Sequence, residues 1–353
     1  MLKLPGLIDL HVHLRDLEDS HKEDFFTGTK AAIAGGYTTV FDMPNNPTVP
    51  TLINERLVLK EQTAKEKIVC DVGFYFGSTG ENLDEFEKVK ENVWGLKIFL
   101  NKSTGNLNVN LETFLKICEK WPTTLPILLH AEESIITDAL KITSRTGHNV
   151  HICHVSSEIE LTQIIDAKEE GIKVTCGVTP HHLFLSEEDR EKLGPFGMMK
   201  PPLKSKKDVA FLWEHLSAID VVESDHAPHT KEEKELEKVP FGVPGLETTL
   251  PLLLTAMTEN KLTLTDILRL CHDNPAKILG FSHDETTHIE VDENEEWTIQ
   301  NDTLNTKCGW SPFNGWHMKG RVKRVVVRGT SVYENGEFFV EPGHGKILKK
   351  SVE

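Results

Sequence analysis

The chain has 353 residues, 38% of them hydrophobic, and 39 Lys and Arg against 55 Asp and Glu give a formal charge of -16. Such a length can bury a large core, as one big α/β domain or two ordinary ones. The acidic balance, with no basic stripe, excludes nucleic acid and anionic membrane as partners, so any anionic substrate must be held by local cations.

Taken in chain order, apolar β-branched runs at residues 7–12, 38–43, 71–77, 96–100, 126–129, 149–153, 172–178 and 219–223 predict strands. Helical spacing fills the intervals at 23–36, 52–65, 83–92, 111–120, 132–146, 158–171 and 208–216. Strand-helix alternation means parallel β/α units. Eight of them in about 250 residues match an α/β fold of the (β/α)8 TIM-type barrel class. An open doubly wound sheet would carry a Gly-rich phosphate turn after its first strand, and none follows here. The run 231–238 is charge-rich and predicted to be solvated. Helices follow at 246–259 and 264–279. Residues 289–299 and 322–340 then read as strands, with Glu334-Asn335-Gly336 as a hairpin turn. The barrel is therefore assigned to 1–284 and a small β appendage packed on it to 285–353. Because so few residues precede the first strand, the appendage is expected to come mainly from the C-terminal segment.

Residues 1–6 are too short for a signal peptide, and no apolar run nears the ~20 residues that span a bilayer. Cys70, Cys118, Cys153, Cys176, Cys271 and Cys308 show no C-x-x-C spacing, so reduced thiols and a cytoplasmic location are expected.

The C-terminal ends of barrel strands converge on one face, and His11, His13, Asn45, Lys97, His130, His154, His181 and Asp225 fall at those ends. His11 and His13 alternate along one strand and can offer two imidazoles to one ion, with Asp9 pointing the same way. Alone, that pair describes hydrogen-bonded histidines equally well. His130 and His154, each closing an apolar strand, together with Asp225, extend it to a metal site. Lys97 lies inside Gly95-Leu96-Lys97-Ile98-Phe99-Leu100, where a charge is costly and an ammonium has no lone pair for a metal. A snorkelling or acid-paired lysine is one reading. A carbamate formed with carbon dioxide, whose two oxygens could bridge two cations, is the other. Arg15 follows His13 by two residues, and its planar guanidinium suits bidentate recognition of a carboxylate.

These segments, with Asp42-Met43-Pro44-Asn45, Leu129-His130-Ala131-Glu132, His151-Ile152-Cys153-His154-Val155-Ser156, Thr179-Pro180-His181-His182, Ser224-Asp225-His226-Ala227-Pro228-His229 and Pro244-Gly245-Leu246-Glu247-Thr248, resemble the dihydroorotase branch of the amidohydrolase superfamily. Nearly the whole chain is similar to the corresponding domain of the animal multifunctional pyrimidine-synthesis protein. The resemblance implies one metal held by His11, His13, carbamylated Lys97 and Asp225, and a second held by Lys97, His130 and His154, both zinc. It implies reversible interconversion of (S)-dihydroorotate and N-carbamoyl-L-aspartate in de novo pyrimidine biosynthesis, through a metal-bridged hydroxide, with Asp225 as general acid/base. Arg15, Asn45 and His229 become the substrate contacts. A homodimer and association with aspartate transcarbamoylase are the partners it implies.

Some positions depart from the animal domain. Ser103-Thr104, in a polar loop at 101–109 suited to a lid, replace a Thr-Phe pair. Lys200 replaces Arg, and Gly177 replaces Glu, which removes a partner for any extra metal. Cys153 reads as a small hydrophobe beside His154. Two rival functions remain on sequence grounds. An allantoinase or hydantoinase would act on neutral cyclic ureides, whereas Arg15 favours a carboxylate. A non-catalytic scaffold like the dihydropyrimidinase-related proteins need not retain every ligand, as this chain does.

Overall fold

The computed structural model describes residues 1–102 and 106–350, so Ser103 and Thr104 of the expected lid lie outside the described residues. The chain opens with β1 (Leu2–Pro5), β2 (Leu7–Val12), β3 (Tyr37–Asp42), β4 (Asp71–Phe74) and β5 (Phe76–Gly77). It continues through β6 (Leu96–Phe99), β7 (Ile127–His130), β8 (Val150–Ile152), β9 (Val174–Val178) and β10 (Val221–Val222). Parallel ladders run β2-β3-β4 and β5-β6-β7-β8-β9-β10. Tyr75 alone separates β4 from β5, making them two halves of one stave, and the parallel bridge of Val12 with His226 joins the first stave to the last. Among the described residues, eight staves thus close a (β/α)8 barrel.

Helices cover the outside, so β2, β3, β6, β7 and β8 are buried at every residue, which is why they read as continuous apolar runs rather than alternating ones. Asp24, Ser157 and Ser205 cap the helices Phe25–Ala34, Glu158–Glu169 and Lys206–Glu214. Two predicted helices are less regular. The stretch 83–92 contains one α turn, Phe86–Val89, after a 3-10 turn. The stretch 264–279 is interrupted by a π turn at Arg269–Asp273, ahead of Pro275, which has no N–H to donate.

An inner cluster including Ile8, Leu10, Phe41, Met43, Tyr75, Trp94 and Leu128 fills the barrel. Its far end is closed by the C-terminal tail: Val72 N–H donates to the Lys346 carbonyl at 2.9 Å, and Trp94 Nε1–H to that of Leu348 at 3.0 Å. The appendage is an antiparallel sheet in the order β1, β11 (His288–Thr298), β12 (His317–Val327), β13 (Thr330–Glu334), β14 (Glu337–Phe338). Its N-terminal share is β1, a strand too short to show alternation in sequence. Asn335 and Gly336, at φ 50° and 96°, make the two-residue hairpin that Asn-Gly favours. No helix among the described residues is long and apolar enough to cross a membrane.

Phe41 is fully buried with its ring edge-on to Trp94 at 5.4 Å. Phe41→Ala should cost about 3–5 kcal/mol in urea unfolding; a loss below about 1 kcal/mol would contradict this packing.

Candidate metal centre

The pairing of β2 with β3 slips between Asp9 and Val12, an irregularity that re-aims side chains. Ile8 and Leu10 join the inner apolar cluster, whereas His11 and His13 line the cavity at the barrel mouth. Asp9 does not stand with the imidazoles, as strict alternation would have it. Its carboxylate accepts from the backbone N–H of His11 at 3.0 Å and of Ser224 at 3.1 Å, tying the first stave to the last, and burial pushes it up to about 7.

Along β6, β7 and β8 the period of two places Lys97 with Phe99, Leu128 with His130, and His151 with Cys153 on shared faces. His154 follows β8 and Asp225 follows β10, both at φ 42°. Non-glycine residues rarely adopt that left-handed region, and such strain persists only where the surroundings fix it.

His11 Nε2 and His13 Nε2 lie 3.3 and 3.0 Å from the same Asp225 oxygen, Oδ1. The three groups offer ligand atoms all within 4.8 Å of one another. His130 Nδ1 and His154 Nε2 are 2.9 Å apart, and the His154 ring is 5.3 Å from that of His11. Burial lowers all four imidazoles, His11 to about 4, so they are neutral near pH 7 and have lone pairs to give. Burial raises Asp225, although His11 and Lys97 oppose it.

Lys97 is 1% exposed, with Nζ 3.1 Å from Cys153 Sγ and 5.1 Å from the Phe99 ring centre. Cys153 Sγ in turn lies within 4.8 Å of a His11 nitrogen, so the amine stands beside the imidazole cluster. Among the described residues no carboxylate lies within 4 Å of it, so the acid-paired reading finds no partner here and the snorkelling one finds no solvent. Nδ1 of His11, His13 and His154 also lacks a hydrogen-bond partner among the described residues. Neutral imidazoles, a carboxylate and an uncompensated amine form a donor set that fits divalent cations.

Sequence reasoning passed over Glu223. It is fully buried, 3.6 Å from His11 Nδ1, 3.3 Å from His151 Nε2, and accepts the His154 backbone N–H at 2.5 Å. Burial alone would raise its carboxyl, but His11 and His151 outweigh burial and hold it below the usual carboxylate range. The available signal was an acid closing an apolar strand two residues before Asp225. A Cβ on Gly177 would lie 2.5 Å from the Glu223 carboxyl carbon, so Glu223 fills the room a side chain at 177 would need. His11, Cys153 and Glu223 also have ligand atoms within 4.8 Å of one another.

Arg15, Asn45, Phe99, Lys200, Phe241 and Gly242 line the same cavity as the imidazoles. Arg15 is 2% exposed, its Nε is 3.4 Å from the Pro228 carbonyl, and among the described residues it has no carboxylate within 4 Å. Asn45 is buried with Oδ1 unpartnered among the described residues. His229 is fully buried next to Arg15: Nε2 lies 3.4 Å from Arg15 Nη2 and 3.0 Å from the Phe241 carbonyl, while Nδ1 lies 3.2 Å from Lys22 Nζ. Burial takes His229 down to about 3. An ammonium can only donate, so Nδ1 accepts from Lys22 and Nε2–H donates to Phe241. His182, between Thr179 Oγ1 and the Pro201 carbonyl, is structural.

The amidohydrolase family model matches residues 2–332, and the chain belongs to that family. The solved L-hydantoinase of Arthrobacter aurescens superposes with a TM-score of 0.93 at 26% identity, over 99% of this chain and 89% of that one. The dihydroorotase of Pyrococcus furiosus is 39% identical over 98% of this chain and 85% of its own length, so within the family the chain falls in the dihydroorotase group. The multifunctional protein CAD of Squalus acanthias is 44% identical over 99% of this chain, which spans only 16% of that protein.

Glu223→Gln removes the anion behind His11 and His151. Affinity for divalent cations should fall about 10- to 100-fold in a competition titration; an unchanged affinity would show that Glu223 does not support the ligands.

Proposed function

We propose that the chain is a dihydroorotase, hydrolysing the cyclic amide of (S)-dihydroorotate to N-carbamoyl-L-aspartate and closing it in reverse, as a step of de novo pyrimidine biosynthesis. The observation that carries the substrate choice is Arg15: a buried guanidinium beside the metal-binding cluster, with no protein carboxylate to pair with among the described residues. Such a group is stabilised by an incoming carboxylate. Lys200, in the same lining, adds a second positive charge. Dihydroorotate has the carboxylate; hydantoin and allantoin do not.

One ion would be held by His11, His13, Lys97 and Asp225, and the other by Lys97, His130 and His154, with Lys97 as a carbamate formed from carbon dioxide and zinc as the metal. Bound there, divalent cations lower the pKa of an attacking water and polarise the scissile carbonyl. Asp225 takes the proton of the attacking water and returns it to the departing ring nitrogen. Arg15, Asn45 and His229 hold the substrate. The barrel is assigned to 1–284, apart from β1, which pairs into the appendage, and the appendage to 285–353. A cytoplasmic location, a homodimer and association with aspartate transcarbamoylase complete the proposal; similarity to one segment of a multifunctional protein supports the association alone.

The likeness to an L-hydantoinase favours a second reading, hydrolysis of neutral cyclic ureides. Assays on dihydroorotate, hydantoin and allantoin separate them: turnover of dihydroorotate is expected, and activity confined to the other two would overturn the proposal. Arg15→Met should raise KM for dihydroorotate about 10- to 100-fold, the loss of a charge-assisted contact of about 1.5–3 kcal/mol, while metal content stays at the wild-type level. An unchanged KM would remove Arg15 from the substrate site.

A further inference from the structure

The run 231–238, expected to be solvated, is mostly exposed, but Lys234 is fully buried in the short helix Lys231–Lys234. Its ammonium donates to three backbone carbonyls, of Met198 at 3.0 Å, Pro240 at 2.9 Å and Gly242 at 3.1 Å, and lies 5.6 Å from the centre of the Trp310 ring. All three N–H donors are used, yet among the described residues no carboxylate comes within 4 Å. Burial pulls the amine down to about 7, so keeping a charge here opposes folding. An apolar side chain of similar volume would avoid that penalty but leave the Pro240 and Gly242 carbonyls without this donor, so what the lysine contributes lies in the carbonyls it holds.

Its acceptors supply one. Pro240 and Gly242 flank Phe241, and Met198 precedes Lys200 by two residues; Phe241, Gly242 and Lys200 all line the cavity. The Phe241 carbonyl is held by His229, and Gly242 N–H donates to the Met198 carbonyl at 3.0 Å, joining the two segments. Three successive carbonyls, 240 to 242, are therefore fixed: two by Lys234 and one by the histidine that also abuts Arg15.

We infer that Lys234 is a positioning residue for substrate binding, locking segments 198–200 and 240–242 together so that the Lys200 and Phe241 wall stands at a fixed distance from Arg15. It touches neither the substrate nor the ligand cluster. The inference rests on dihydroorotate being the substrate, and wild-type turnover of dihydroorotate, measured first, tests that reading separately. Steady-state kinetics of Lys234→Met should then show KM raised about tenfold with kcat within about threefold and metal content unchanged, since a displaced wall weakens binding without touching the chemistry. Lys234→Gln keeps two of the three donors and should give an intermediate KM; it decides the matter if the methionine variant fails to fold. Wild-type KM in the folded variants, or a fall in kcat alone, overturns the inference, because a merely structural lysine would alter the melting temperature and leave KM in place.

Discussion

An amine buried inside a barrel strand, with no carboxylate within 4 Å among the described residues, is the constraint on which the rest of this site depends. Lys97 lies among four imidazoles and Asp225, all withdrawn from water. Burial drives each imidazole toward neutrality and each acid toward protonation, so the cluster, left to itself, would be a set of desolvated polar groups facing one another. Cations at the centre, with the lysine converted to an anion as proposed above, would satisfy every member at once. The surrounding framework is consistent with this. Glu223 holds the backbone of His154, and Asp9 holds that of Ser224, next to Asp225; these brace the two ligand residues whose φ is positive.

Support extends outward through buried ion pairs rather than apolar packing alone. Lys60, 1% exposed, pairs with Asp42 at 2.5 Å and donates to Asn46 Oδ1. Asp42 accepts the Leu14 N–H at 2.7 Å and Asn46 donates to the Arg15 carbonyl at 2.5 Å, so the left-handed turn at Arg15 is gripped from the second stave. The segment before β12 closes the other flank. Glu247 accepts from the N–H groups of Asn305 and Thr306, Glu23 accepts from Lys307 N–H at 3.1 Å, and Trp310 Nε1–H reaches the His229 carbonyl at 2.7 Å. Residues 305–310 thus brace Glu23, Glu247 and the His229 backbone from outside the cavity lining.

Much of this was legible in the sequence. The eight barrel runs were readable because strands buried on both faces are apolar throughout, and the clustered histidines because they interrupt or close such runs. What escaped depends on contacts distant in sequence. Leu2–Pro5 becomes a strand only by pairing with Ile289 and its neighbours. The slip in β2 that separates Asp9 from His11 is set by the register of β3, not by local pattern. Lys60 and Lys234 sit in polar stretches where solvation is the usual fate, and nothing local reveals carbonyls or an aspartate waiting for them. His229, singled out by motif, stands beside Arg15 through contacts with Phe241 and Lys22 that no local pattern shows.

The most direct test of the account is a metal titration of the chelated protein, with dihydroorotate turnover followed against ions bound per chain. Activity that is absent without metal and rises to a plateau at two ions per chain is the predicted result. Turnover that survives complete removal of metal, or that reaches its plateau at a single ion, would contradict a centre built from His11, His13, Lys97, His130, His154 and Asp225.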